Sequence, residues 1–198
     1  MTSGGLAIVP SVKSVLVLAP VGVRAIGLAA MAVILEWARV LALRTPDRQA
    51  VTLIAGGLAL CLLGVGRRPA ELGLETSRMP ERLIGGLALA GVLLLPAAVR
   101  WGGGPTLAPE FALAAVAVSV GEEIAFRGAV FAALEQAYGP AVAVLGSTAA
   151  WTLAHALSHP PEFLPAVAAA GLLLGAWRWA VRDLVGPIVG HVLADLAL

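Results

Sequence analysis

Three groups of ionisable residues interrupt an otherwise apolar sequence. Glu122, Glu123 and Arg127 fall inside the run from Gly121 to Gly128. His155 follows Trp151 by four residues, and His191 precedes Asp195 by four. Charges in the middle of a bilayer-length helix cost about 2.5–3.5 kcal/mol each on insertion scales. Groups kept at that depth face a bundle interior and act there, so these six residues are the candidate working centre.

The spacings carry geometry. Glu123 and Arg127 are four apart, on one helix face and with acid before base, the better order for an ion pair. Glu122 points about 100° away from Glu123, because an α-helix turns by that amount per residue. A division of labour follows, with Glu123 and Arg127 as a structural pair and Glu122 facing a cavity. Asp195 is placed to orient His191 or to share in holding a polar ligand. Glu122, His155 and His191 together make a two-histidine, one-glutamate set, the ligand chemistry of a catalytic Zn2+ site with an open position. Equally, Glu122 and His155 can hold and deprotonate a water without metal. His191 and Asp195, the latter protonated, would then donate to the oxyanion of a tetrahedral intermediate. Both routes end in amide hydrolysis inside a membrane, and at this point both stay open. The HExxH zinc helix is absent, since Ala156, Leu157 and Ser158 separate His155 from His159. Ser119 and Ser147 have no base in a triad-like position.

The elements that must position these residues are membrane helices. The chain is 60% hydrophobic and 13% charged, against about 45–50% and 25% in soluble domains. Its mean hydropathy is +0.94. Runs of about 20 apolar residues between charges and Pro/Gly breaks predict spans at residues 25–43, 51–65, 83–99, 111–133, 141–157, 163–180 and 184–198. The fold expected is therefore an all-α polytopic transmembrane bundle of about seven spans, with a range of six to eight. Residues 44–48 and 100–106 read as turns, and Trp101 as an interfacial aromatic. Residues 66–82, with four Arg and three Glu, read as a solvated connector at the membrane surface. Glu36 and Arg39 are three apart and read as a local ion pair at the span's boundary, with Arg39 snorkelling to the interface. Trp151, Trp177 and Trp179 read as packing or belt residues.

The Lys and Arg residues flanking the spans divide into eight inside and four outside when the N-terminus is cytoplasmic, which sets that orientation. Arginine outnumbers lysine twelve to one, and with the abundant Ala and Gly this fits a GC-rich bacterial genome and hence a bacterial inner membrane. A net charge of +1 without a dense basic cluster argues against a nucleic-acid partner. One cysteine, Cys61, cannot form an intrachain disulfide.

The three motifs in order, Glu122-Glu123-x-x-x-Arg127, Trp151-x-x-x-His155 and His191-x-x-x-Asp195, resemble those of the CPBP family. These are the type 2 CAAX prenyl proteases and the bacteriocin-processing (Abi) intramembrane proteases. The likeness covers roughly residues 107–198, a CPBP-like catalytic helical core, whereas residues 1–106 form variable N-terminal helices and a surface loop. The resemblance implies that Glu122 and His155 position the attacking water. It further implies that His191 and Asp195 stabilise the oxyanion while Glu123 and Arg127 support the site. Two positions depart from the family pattern: Trp151 stands where Phe is commoner, and Asp195 where the type 2 proteases carry Asn.

The function expected is an intramembrane endopeptidase acting on a membrane-associated protein or peptide, in anchor sorting or leader processing. Two other classes compete: a proton-coupled transporter, since intramembrane Glu and His also build relays, and a non-catalytic immunity or assembly partner. The absence of an internal repeat weighs against the transporter.

Overall fold

The computed structural model describes residues 20–43, 48–98 and 107–197, and all regular structure among them is helical. Helix α1 (Val21–Ala42) is followed by α2 (Gln49–Cys61), which tightens into a 3-10 turn over Leu62–Gly64. A one-turn helix α3 (Pro69–Leu72) leads to α4 (Met79–Ala98). Next comes α5 (Pro109–Glu122), which runs through a π-helical stretch (Glu123–Val130) into α6 (Phe131–Tyr138). Helix α7 (Pro140–Ala154) ends in a 3-10 turn at His155–Leu157, and α8 (Leu164–Val181) and α9 (Val185–Ala197) complete the chain. The expected turn at residues 44–48 lies almost wholly outside the described residues, as do the loop at 100–106 with Trp101 and the N-terminal segment.

The distribution of side chains is inverted relative to a water-soluble domain. Ile26, Ile34, Leu58, Leu62, Ile84 and Leu145 are exposed, whereas Glu36, Glu122, Glu123, Arg127, Arg178, Asp183 and His191 are buried. That is the pattern of helices solvated by lipid, with polar groups turned to the bundle interior. Three helical stretches are long and apolar enough to cross a membrane, Val21–Ala42, Pro140–Leu157 and Pro161–Val181. Gln49–Gly64 and Val185–Ala197 are shorter apolar helices.

Two helix pairs set the frame of the site, and each closes over glycine. Helices α2 and α5 meet so closely that a methyl on Gly121 would lie 2.2 Å from Gly57 O. Helices α4 and α9 meet in the same way: a methyl on Gly190 would lie 2.8 Å from Leu89 Cβ. Small residues let membrane helices pack by backbone contact. Here the residue after each of these glycines is a site residue, Glu122 in one pair and His191 in the other.

The connector over residues 66–82 is solvated along most of its length, as expected, but not throughout. Arg68 remains exposed, but Leu72 is buried against Ala129 and Leu184. Gly73 caps α3 at φ 78, a conformation that favours glycine. Its carbonyl accepts Leu184 N at 2.9 Å and Arg82 Nη1 at 3.1 Å. Arg178 donates to Glu71 O at 2.8 Å and to Arg127 O at 3.2 Å, so α8 ties the connector to the π-helical stretch. A buried guanidinium satisfied by carbonyls holds this segment in the body of the protein.

Candidate functional site

Helix α5 delivers Glu122 and Glu123 into the interior on different bearings, as their adjacency predicts. The π-helical stretch that begins at Glu123 is buried along nearly its whole length, through Ala125, Phe126, Arg127, Gly128, Ala129 and Val130. Such i→i+5 segments are rare and are concentrated at functional sites.

Glu122 is 2% exposed. Its Oε2 accepts the indole N–H of Trp151 at 2.7 Å, and His155 Nε2 lies 3.7 Å from the same oxygen. Its Oε1 lies 3.7 Å from Arg39 Nη2. His155 sits where α7 tightens into its 3-10 turn, with Nδ1 2.9 Å from Trp151 O. A carbonyl can only accept, so Nδ1 carries a proton and Nε2 is the nitrogen turned toward Glu122.

Glu123 is fully buried, and its Oε1 receives both Arg127 Nη1 and His191 Nδ1 at 2.9 Å. The structural pair with Arg127 is present, but His191 shares the same oxygen. His191 Nε2 lies 3.5 Å from Asp195 Oδ2. Because Nδ1 donates to a carboxylate, His191 has a second N–H to give only as an imidazolium. Asp195 Oδ2 is also 2.7 Å from Ser119 Oγ, which lies 2.7 Å from Ala115 O as well.

Trp151 is the hub of the arrangement rather than a packing or belt residue. Its ring meets His155 edge-on at 4.6 Å and His191 at 5.7 Å between centroids. The Arg127 guanidinium lies 4.0 Å above it, a cation–π contact. Glu122, His155 and His191 are thus gathered around one indole. A shared Zn2+ fits this placement poorly, since His191 turns Nδ1 to Glu123 and Nε2 to Asp195. Among the described residues no group of three His, Cys, Asp or Glu side chains could hold a metal ion.

Three contributors were not assigned to the site from sequence. Glu36 and Arg39 do pair, yet Glu36 is fully buried and Arg39 faces Glu122; the pair lies inside the bundle and not at its boundary. The signal was the depth of Glu36 within its helix. Ser119 has no base that would make it a nucleophile, but it turns to α9, where it meets Asp195. Asp183 starts α9 by accepting Val185 N at 2.9 Å and Gly186 N at 2.8 Å. It is itself held by Arg82 Nη1 at 2.9 Å.

No curated protein and no solved structure matches the chain. Residues 104–197 match the family model described as type II CAAX prenyl endopeptidase Rce1-like. The matched stretch holds all three motifs, and the family is one of proteases that act on membrane-associated proteins. Over that stretch, just under half of its length, the chain is similar to the type II CAAX prenyl endopeptidases.

Proposed function

We propose that the protein is an intramembrane endopeptidase that hydrolyses a peptide bond of a membrane-associated protein or peptide with a water activated by Glu122 and His155. The observation that carries this reading is the apposition of the Glu122 carboxylate and His155 Nε2 at 3.7 Å, with the imidazole's other nitrogen tied to a backbone carbonyl. A water seated between them gives its proton to this pair while its oxygen bonds to the scissile carbonyl carbon. His191, donating through Nε2–H, and a protonated Asp195 stabilise the resulting oxyanion. The intermediate collapses with cleavage of the C–N bond, and the proton held by Glu122 and His155 passes to the leaving amine. Glu123 supports the oxyanion side by holding Arg127 and His191 together.

Ser119 supports the neutral form of Asp195. A hydroxyl has one proton, and two acceptors lie 2.7 Å from it. A proton on Asp195 lets the carboxyl donate to Ser119 while Ser119 donates to Ala115 O, so that both contacts are satisfied. An aspartic acid kept neutral in this way does not repel an oxyanion, and when substrate binds its one proton turns from Ser119 to the oxyanion, the part that Asn plays in the type 2 relatives.

The wider reading places the chain as about seven spans in a bacterial inner membrane with its N-terminus in the cytoplasm. Its substrates are membrane-anchored C-terminal segments or leader peptides. The test is cleavage of a panel of membrane-anchored reporter peptides by purified protein in proteoliposomes, with and without a chelator. Wild type should cleave at least one reporter, with chelator making no difference, and Glu122→Ala should not. Cleavage retained by Glu122→Ala would refute the hydrolytic role, and cleavage abolished by chelator would refute the metal-free route.

A further inference from the structure

Helix α1 brings a buried charge pair to the site that the mechanism above does not use. Glu36 accepts Arg39 Nε at 3.0 Å, and Arg39 Nη2 also contacts Glu36 Oε1, with Glu36 fully buried. The same Nη2 is 3.7 Å from Glu122 Oε1, while Trp151 holds Oε2 from α7 at 2.7 Å. The two oxygens of Glu122 are therefore addressed from two different helices. At 3.7 Å the guanidinium is beyond hydrogen-bond range and acts as a charge.

Helix α2 is shaped to receive this side chain. A methyl on Gly56 would lie 2.4 Å from Arg39 Cδ and 2.5 Å from Cγ, so the stem lies in a slot that only glycine leaves open. A buried ion pair adds little net stability over an apolar pair of the same shape. Its presence beside Glu122 is better explained by the site than by the seating of α1. The other charged and polar groups around Glu122 include Trp151 from α7, His155 from its 3-10 turn, His191 and Asp195 from α9, Arg127 from the π-helical stretch, and Glu36 beyond Arg39.

We propose that Arg39, clamped by Glu36 in the Gly56 slot, is a positioning residue that draws Glu122 Oε1 toward α1 and so aims Oε2 at Trp151 and His155. This rests on the reading of Glu122 and His155 as the water-holding pair. The N-terminal helix thereby completes a site whose motifs all lie in the C-terminal half.

The Trp151 indole N–H reports the aim of the carboxylate without any substrate. The full-length protein carries five tryptophans, and selective 15N-Trp labelling in micelles gives one indole resonance for each, with Trp151→Phe assigning the one that matters. Trp37, two residues from Arg39, donates to Leu153 O at 3.1 Å and reports whether α1 keeps its seat. Arg39→Gln should move the Trp151 resonance by more than a linewidth and leave that of Trp37 in place, and Arg39→Lys should restore most of the shift. Since Arg39→Gln leaves Glu36 unpaired, the Glu36→Gln/Arg39→Gln double variant repeats the test with no orphaned charge and should give the same shift. An unmoved Trp151 resonance in the double variant, or one that moves only together with Trp37, would overturn the proposal. Because the readout needs no hydrolysis, a wild type that cleaves nothing would count against the proposed function and not against the role of Arg39.

Discussion

Adjacent glutamates in this site should respond oppositely to the same substitution. Glu123→Gln removes the charge opposite Arg127, which is fully buried and pairs with it at 2.9 Å, and weakens the contact with His191 at the same distance. Breaking a buried pair from one side costs about 3–5 kcal/mol, because the remaining charge stays uncompensated. Glu122→Gln is milder: the amide oxygen still accepts the Trp151 N–H, and Arg39 keeps Glu36. The expected loss of stability there is about 1 kcal/mol or less. Activity should rank the other way for equally folded protein, with Glu122→Gln losing about 10²–10⁴-fold through its general-base role. Unfolding in mixed micelles by titration with SDS, followed by helical circular dichroism, measures the first quantity; reporter cleavage in proteoliposomes measures the second. Equal destabilisation by the two variants, or a Glu123→Gln protein as stable as wild type, would refute this assignment of structural and chemical roles.

Trp151→Phe keeps the ring contacts with His155 and His191 but deletes the donor to Glu122, so kcat should fall about 10- to 100-fold, the equivalent of one charged hydrogen bond; an unchanged kcat would contradict the hub role. Ser119→Ala should lower cleavage about three- to tenfold, the worth of one hydrogen bond to Asp195, with thermal stability as the control. Asp183→Ala removes the acceptor for Val185 N and Gly186 N and the partner of Arg82, and should cost about 2–4 kcal/mol, seen as faster hydrogen exchange at the start of α9. His159, beyond the α7 turn, is held below its ordinary 6.5 by partial burial and then by the nearby His155. Its contribution to stability is present above the free value and is lost as pH falls through that range. An NMR titration midpoint at or above the free value would contradict this.

Much of the architecture is legible in the chain because lipid imposes a simple rule. Apolar runs become helices, and charges inside them turn inward, so helices stand where spans were expected, three of the stretches being long and apolar enough to cross a membrane. Three motifs converge on one indole, as expected of charges that cannot face lipid. What stayed illegible was the pairing of distant elements. Spacing linked Glu36 to Arg39 but carried no information that α1 lies against α6, α7 and the π-helical stretch. Nor does periodicity show that Gly57 and Gly121 let the backbones of α2 and α5 approach, or that Gly56 leaves room for the Arg39 stem. The anchored part of the connector was illegible because its charged residues suggested water, whereas Arg82 reaches back to Gly73 O and Asp183, and Arg178 of α8 reaches in to Glu71 O. Trp151 was misread because packing and hydrogen bonding demand the same residue type.

The central claim is that Glu122 and His155 act as one unit on one water. A double-mutant cycle on reporter cleavage tests it most directly, comparing Glu122→Gln, His155→Gln and the double variant, each verified as folded. Residues that act as a unit are grossly non-additive, so the double variant should be no slower than the worse single variant. Losses that multiply would show two independent contributions and contradict the shared-water account.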